Sequence, residues 1–92
     1  MPASSDLRVE RTTRLPEGVA LHARPAGALV RAASAFAAEV FVTANGQRAN
    51  AKSILDILSL GAEGGVEIVI DASGEDAAAA AEHLAILVPS LA

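Results

Sequence analysis

The chain has 92 residues, no cysteine and a net charge of −4, with 52% hydrophobic residues but only two phenylalanines and no Trp or Tyr. One domain of 1–92 is expected, without disulfides or thiolate metal sites, held together by Val, Ile, Leu and a great deal of alanine. No stretch approaches about 18 uncharged apolar residues, which excludes a membrane-spanning helix, and the polar start Met1-Pro2-Ala3-Ser4-Ser5-Asp6 lacks an apolar signal region. The expectation is a cytoplasmic protein with no stable membrane association.

The first element follows about six residues that are expected to be flexible. Residues 7–15 alternate imperfectly, with Leu7, Val9, Arg11, Thr13 and Leu15 on one side; they predict a strand in which Arg11 is the misfit. Pro16-Glu17-Gly18 breaks it. From Ala23 to about Phe36, apolar residues recur at three and four (Ala26, Leu29, Val30, Ala33, Phe36), which predicts a helix with one buried stripe. Pro25 fits its first turn, where an N–H has no intrahelical partner. Glu39–Thr43 predicts a strand, Asn45-Gly46 a tight hairpin turn, and Gln47–Asn50 a short polar return strand at a sheet edge. Ser53-Ile54-Leu55-Asp56 has the form of a capping box and opens a short helix that ends before Gly61. Val66–Asp71 predicts a strand. Ser73-Gly74-Glu75-Asp76 punctuates and caps a last helix over Ala77–Val88, with Pro89 just after it. The order β-α-β-β-α-β-α predicts an α+β domain in which one antiparallel sheet is covered by helices on a single face.

Charge is unevenly spread. All seven basic residues lie in residues 1–52, which carry +3, while residues 53–92 carry seven acids and no Lys or Arg. If the fold gathers Arg24, Arg31 and Lys52 on one face, that face attracts an acidic partner. Sparse arginines and two phenylalanines do not support nucleic-acid binding.

The chemistry concentrates in Leu21-His22-Ala23-Arg24-Pro25-Ala26. His83, inside the last helix, reads as a helix-surface residue. His22 instead stands where an irregular loop enters the first helix. At the N-cap, free N–H groups of the first turn and the helix dipole favour an anion beside its ring. Arg24 adds planar charge-assisted donors suited to phosphoryl oxygens. Neutral imidazole is a competent nucleophile near pH 7. Two distant histidines without Cys give no metal site, and Gly61-Ala62-Glu63-Gly64-Gly65 lacks the Lys and Ser/Thr of a phosphate-binding loop. Nothing indicates a cofactor, and so small a chain needs a partner protein to complete its site.

On these residues, together with Ala51-Lys52-Ser53-Ile54 and Leu58-Ser59-Leu60-Gly61, the chain resembles the histidine-containing phosphocarrier (HPr) family of the bacterial phosphoenolpyruvate:sugar phosphotransferase system, over residues 7–90. The resemblance implies an open-faced β-sandwich of four antiparallel strands and three helices. It implies that His22 is phosphorylated on Nδ1 by phosphorylated enzyme I, which draws the group from phosphoenolpyruvate, that Arg24 assists transfer, and that the group passes on to enzyme IIA. The protein is then a covalent carrier that acts only with partner enzymes, not an enzyme by itself. Ala23, Arg31, Ile54, Leu55, Leu58 and Ser59 correspond to the surface that meets those partners, although periodicity alone equally allows Ile54 and Leu58 to be core. Ser53 matches the position modified by a Ser-specific HPr kinase/phosphorylase in many Gram-positive relatives, and from its spacing it is also a plain N-cap. Two departures stand out: Ala20 occupies the place of the usual Gly before Leu-His, with Gly18 two residues earlier, and Ser34 replaces a basic residue of some relatives. A carrier in a nitrogen-related or dihydroxyacetone-kinase phosphorelay, or a regulatory binding protein using the short-helix surface, are the alternative readings.

Overall fold

Val40, Val42 and Ala44 alternate with Glu39, Phe41 and Thr43, and Ile68, Ile70 and Ala72 alternate with Glu67, Val69 and Asp71. Such a period of two places one set on each face of a sheet. A computed structural model, which describes residues 7–91, realises this pattern; the expectation of a flexible 1–6 lies outside the described residues. The elements are β1 (Arg8–Arg14), α1 (Ala23–Ser34), β2 (Glu39–Ala44), β3 (Gln47–Asn50), α2 (Ile54–Ser59), β4 (Glu67–Ser73) and α3 (Ala77–Leu87), followed by a 3-10 turn over Val88–Ser90. The four strands pair antiparallel in the order β1-β4-β2-β3, and the helices cover one face. This is the expected α+β open-faced sandwich.

The register brings Val9 opposite Ala72, Ala72 opposite Val40, Ile70 opposite Val42 and Val42 opposite Ala49, so the centre of one face is apolar. Against it lie Ala26, Leu29 and Ala33 of α1, Ile57 of α2, and Ala77, Ala80, Ala81 and Leu84 of α3, all fully buried. Alanine at these points lets helix and sheet backbones approach closely, and no aromatic ring belongs to the fully buried set. Phe36 is half-buried beside the His83 ring, with centroids 5.7 Å apart. Phe41 lies on the open face under the Arg48 guanidinium, 3.9 Å from the ring centroid.

On that open face Arg8 and Asp71 form a two-pronged ion pair, Nε to Oδ1 at 2.8 Å and Nη2 to Oδ2 at 2.6 Å. The Arg8 hydrogen bonds hold the Asp71 carboxyl below the usual aspartate range. Arg11, the misfit of β1, has the parity of the buried face and pairs with Ile70. It escapes because β1 is an edge strand: its side chain is exposed and donates to the Glu10 carbonyl at 3.0 Å.

Several boundaries differ from expectation. β1 stops at Arg14, and Leu15 turns inward to become core at 2% exposure. α3 gives way after Leu87 to a 3-10 turn that contains Pro89, because the ring's missing N–H and fixed φ are tolerated at the start of such a turn. The capping box at Ser53 is only half formed. Its hydroxyl accepts from the Asp56 N–H at 3.3 Å, but Asp56 accepts from the Asn50 N–H and Ser53 N–H donates to the Asn50 carbonyl. Asp76 stands at the N-cap of α3, yet its side chain does not bond to the first turn of that helix. It reaches instead to the segment between α1 and β2, accepting from Ala37 N–H at 2.9 Å and Ala38 N–H at 2.7 Å.

Donation from the Ala37 N–H, then from Ala38, depresses the Asp76 carboxyl below the usual aspartate value near 3.8. A carboxyl that is more acidic in the folded state contributes stability that is complete above its unfolded pKa and is lost as pH falls through the folded one. Asp76→Asn therefore lowers the urea midpoint relative to wild type at neutral pH. The gap closes as pH falls below about 3.8, because protonated Asp and Asn are then equivalent acceptors. A gap that is the same in acid and at neutrality would refute this account.

Candidate functional site

The loop from Pro16 to Leu21 delivers His22 to the start of α1. Gly18 adopts φ +78°, in the left-handed region that L side chains avoid, and the Val19 N–H closes a turn on the Pro16 carbonyl at 3.2 Å. Leu21 is buried at 3% exposure and its N–H donates to the Ala62 carbonyl at 2.9 Å. The residue before His22 is thus anchored by both side chain and backbone. The departure at Ala20 finds its explanation here. Among the described residues, Asn45 is the only non-glycine with positive φ, so Ala20 needs no glycine and the left-handed turn of the loop falls on Gly18.

His22 is the N-cap of α1, extended at φ −103° and ψ −161°, and its side chain makes no capping hydrogen bond. The first intrahelical bond runs from Ala26 N–H to the His22 carbonyl at 2.8 Å. Pro25 has no N–H, so helix geometry leaves the Ala23 and Arg24 N–H groups as the orphan donors of this terminus. The imidazole is exposed, without a cap hydrogen bond, at the positive end of a 12-residue helix. A cleft of ≈ 370 Å³ lies beside it, lined by Gly18, Val19, His22, Arg24 and Pro25. No group of three or more His, Cys, Asp or Glu able to hold a metal occurs among the described residues.

Arg24 is exposed and forms no ion pair or hydrogen bond among the described residues. Arg31 follows seven residues later, about 10 Å along the same helix face. Its guanidinium folds back toward the helix start, lying 3.3 Å from the place a Cβ on Gly27 would take. Lys52 does not join them. Its ammonium donates to the Phe36 carbonyl at 2.8 Å, beyond the opposite end of α1, where a cation complements the helix dipole. The expected three-cation face is therefore a two-arginine face.

The α2 residues divide cleanly. Ile57 is fully buried, whereas Ile54 and Leu58 are 38% exposed and Leu55 is 75% exposed. Ala23 and Ser59 are also exposed, and the Ser59 hydroxyl is turned back onto the Asp56 carbonyl at 2.7 Å. α1 and α2 are neighbours in the fold. Ser53 is half-buried, its hydroxyl engaged as a cap. Sequence reasoning missed two contributors. Val19 forms part of the cleft wall. The Ala62–Gly65 segment, dismissed above as a failed phosphate loop, braces the loop that carries His22. The adjacent Gly64-Gly65 pair was the available signal of a close backbone approach.

A family model described as the PTS HPr component phosphorylation site matches residues 9–90. The chain belongs to the HPr phosphocarrier family. It is 48% identical to the phosphocarrier protein HPr of Streptomyces coelicolor over 80 residues, covering 86% of each chain. It is 44% identical to the phosphocarrier protein HPr of Haemophilus influenzae over 71 residues, 77% of this chain and 84% of that one. A crystal structure of a phosphocarrier protein HPr from Bacillus anthracis superposes with a TM-score of 0.84 at 37% identity, over 90% of this chain and 99% of the other. These likenesses extend beyond the His22 motif to the whole β-α-β-β-α-β-α order.

Burial separates the roles of neighbouring α2 residues in a way that can be measured. Ile57→Ala is expected to cost about 2–5 kcal/mol of unfolding free energy, since it opens a cavity in the core. Leu55→Ala, at a residue 75% exposed, is expected to stay within about 0.5 kcal/mol of wild type. Urea unfolding of both variants checks the contrast; equal losses would mean that Leu55 is packed in solution.

Proposed function

We propose that His22 accepts a phosphoryl group from phosphorylated enzyme I, ultimately from phosphoenolpyruvate, and passes it to enzyme IIA components in sugar uptake. The observation that carries this reading is an exposed imidazole, free of any cap bond, at a helix N-terminus beside an arginine without a partner among the described residues. In transfer, a ring nitrogen lone pair attacks phosphorus as the bond from phosphorus to the donor atom breaks. The three peripheral oxygens then face the Ala23 and Arg24 N–H groups and the Arg24 guanidinium, which stabilise their charge. The same donors hold the phosphoramidate without shielding it, so a second partner can remove it. The protein is a covalent participant rather than a catalyst, and it works in the cytoplasm, where those partners are met.

Docking in this reading uses the apolar residues Ile54, Leu55 and Leu58 with Ala23, Ser59 and Arg31 around them. The exposure of three large aliphatic side chains on a six-residue helix supports it. Ser53 opens that helix. A phosphate there, added by a Ser-specific HPr kinase/phosphorylase, places negative charge beside a surface that meets an acidic partner.

Intact-protein mass after incubation with phosphoenolpyruvate, Mg²⁺ and a bacterial enzyme I tests the reading. The expected result is a gain of one phosphate, labile in acid and absent in His22→Ala. No gain would overturn the general sugar-transport assignment and favour a donor from a nitrogen-related or dihydroxyacetone-kinase phosphorelay, or a regulatory binding role through α2. Ser53→Asp is expected to be phosphorylated at His22 about tenfold more slowly at low salt, equivalent to a like-charge penalty near 1.4 kcal/mol. Equal rates at low salt would dismiss the electrostatic role of that position.

A further inference from the structure

Gly64 differs in kind from the glycines of the turns. Its φ lies outside the left-handed region, so the backbone at this position accepts any L-residue. What forbids a side chain is space. A Cβ built on Gly64 would lie 2.9 Å from both the Pro16 carbonyl oxygen and the Val19 nitrogen, and closer still to the Gly18 nitrogen. All three are backbone atoms, which cannot swing aside as the end of a flexible side chain can. Two backbones therefore meet face to face, Gly64 against Pro16–Val19. The contact is framed by hydrogen bonds on both sides: Gly65 N–H to the Leu15 carbonyl at 3.0 Å, Leu15 N–H to the Val66 carbonyl at 3.1 Å, and Leu21 N–H to the Ala62 carbonyl at 2.9 Å.

Gly18 and Val19 are also walls of the cleft beside His22, and only Ala20 and Leu21 separate Val19 from the histidine. Whatever pushes Gly18 and Val19 outward moves the wall of the cleft that the His22 ring shares. We propose that Gly64 is a positioning residue for His22: the missing side chain lets the Ala62–Gly65 segment clasp the Pro16–Leu21 loop and set the orientation of the imidazole. This rests on the carrier reading of His22 for its consequence, though not for its geometry.

The test uses three measurements on the full chain. In the wild-type protein, nuclear Overhauser effects are expected between a Gly64 Hα and the Gly18 and Val19 amide protons, since one Hα occupies the direction of the absent Cβ. Their absence would overturn the proposal without any variant being needed. Gly64→Ala, which has an allowed φ but no room, is expected to shift the His22 ring resonances. It should also slow phosphoryl transfer at saturating donor about ten- to a hundredfold, the cost of misplacing a reacting group by about 1 Å, with KM for the donor protein unchanged. Gly46→Ala, which has open space but an unfavourable φ of +76° in the distant hairpin, is the control: it should lower Tm and leave the His22 resonances and the saturating rate as in wild type. A Gly64→Ala protein with wild-type His22 resonances and rate would overturn the proposal, as would a rate loss that only follows its unfolded fraction. If the wild-type protein takes no phosphate, the carrier reading fails, while the Overhauser contacts and the His22 resonances still decide the clasp.

Discussion

The fold depends on how closely its helices can approach the sheet. The buried face of the sheet is built from Val40, Val42, Ile68, Ile70 and Ala72, and the helices meet it with Ala26, Ala33, Ala77, Ala80 and Ala81 around the larger Leu29, Ile57 and Leu84. With so many methyl-sized contacts the layers sit near each other, and interiors packed at crystal-like density have no slack in which a helix could slide. That rigidity has a functional consequence. α1 begins at the histidine, so fixing Ala26, Leu29 and Ala33 on the sheet also fixes the direction in which the first-turn N–H groups point. A core of this kind has no place for a phenyl ring, and both phenylalanines have been moved out, one to the rim beside His83 and one to the open face beneath Arg48.

Under the proposed function His22 has to be reached by other proteins and so cannot be buried, yet a nucleophile gains from a set orientation. The structure separates the two demands along the chain. Leu21 takes the burial and donates its N–H to Ala62, and His22, immediately after it, takes the exposure. The backbone then enters a helix whose first two N–H donors are unspent and whose third position is Pro25, pre-set in φ and buried. None of this needs a deep pocket. The open site is suited to chemistry in which the rest of the active site arrives on a partner.

Much of this was visible in the residues. Asn45-Gly46 marked the hairpin, and its φ values of 55° and 76° are those of a turn that matches strand twist. The three-and-four recurrence of Ala26, Leu29 and Ala33 marked α1 and placed His22 at its start. What the residues concealed lies in contacts made across long stretches of chain. Asp76 sits where a helix cap belongs, but its carboxylate serves amides 38 and 39 residues away, and no local pattern distinguishes those two uses. Lys52 looked like part of a cationic surface and proved to be spent on a helix end. The glycines at 64 and 65 announced close approach without saying what approaches. Phe41, apolar in the middle of a strand, has the wrong parity for the core and lies on the open face beneath Arg48.

The distribution of charge shows why an acidic protein can still present a positive site. Of the seven basic residues in the sequence, five have engagements in the fold. Arg8 pairs with Asp71, Arg11 and Arg14 donate to the Glu10 and Gly65 carbonyls, Arg48 covers Phe41, and Lys52 holds the Phe36 carbonyl. Arg24 and Arg31 are the two with no such partner among the described residues, and both lie on the face of α1 that starts at His22. Three of the acids of the second half are likewise committed, Asp71 to Arg8, and Asp56 and Asp76 to backbone amides. At physiological ionic strength exposed charges act over about 8 Å, so the net charge of the whole chain matters little at His22. Under the proposed function, an incoming phosphoryl group meets the local field: the Arg24 guanidinium, two orphan N–H donors and the positive end of α1, with no carboxylate among the described residues that line the cleft. The basic first half of the sequence thus leaves Arg24 and Arg31, on the helix that starts at His22, as the guanidinium groups without a partner among the described residues.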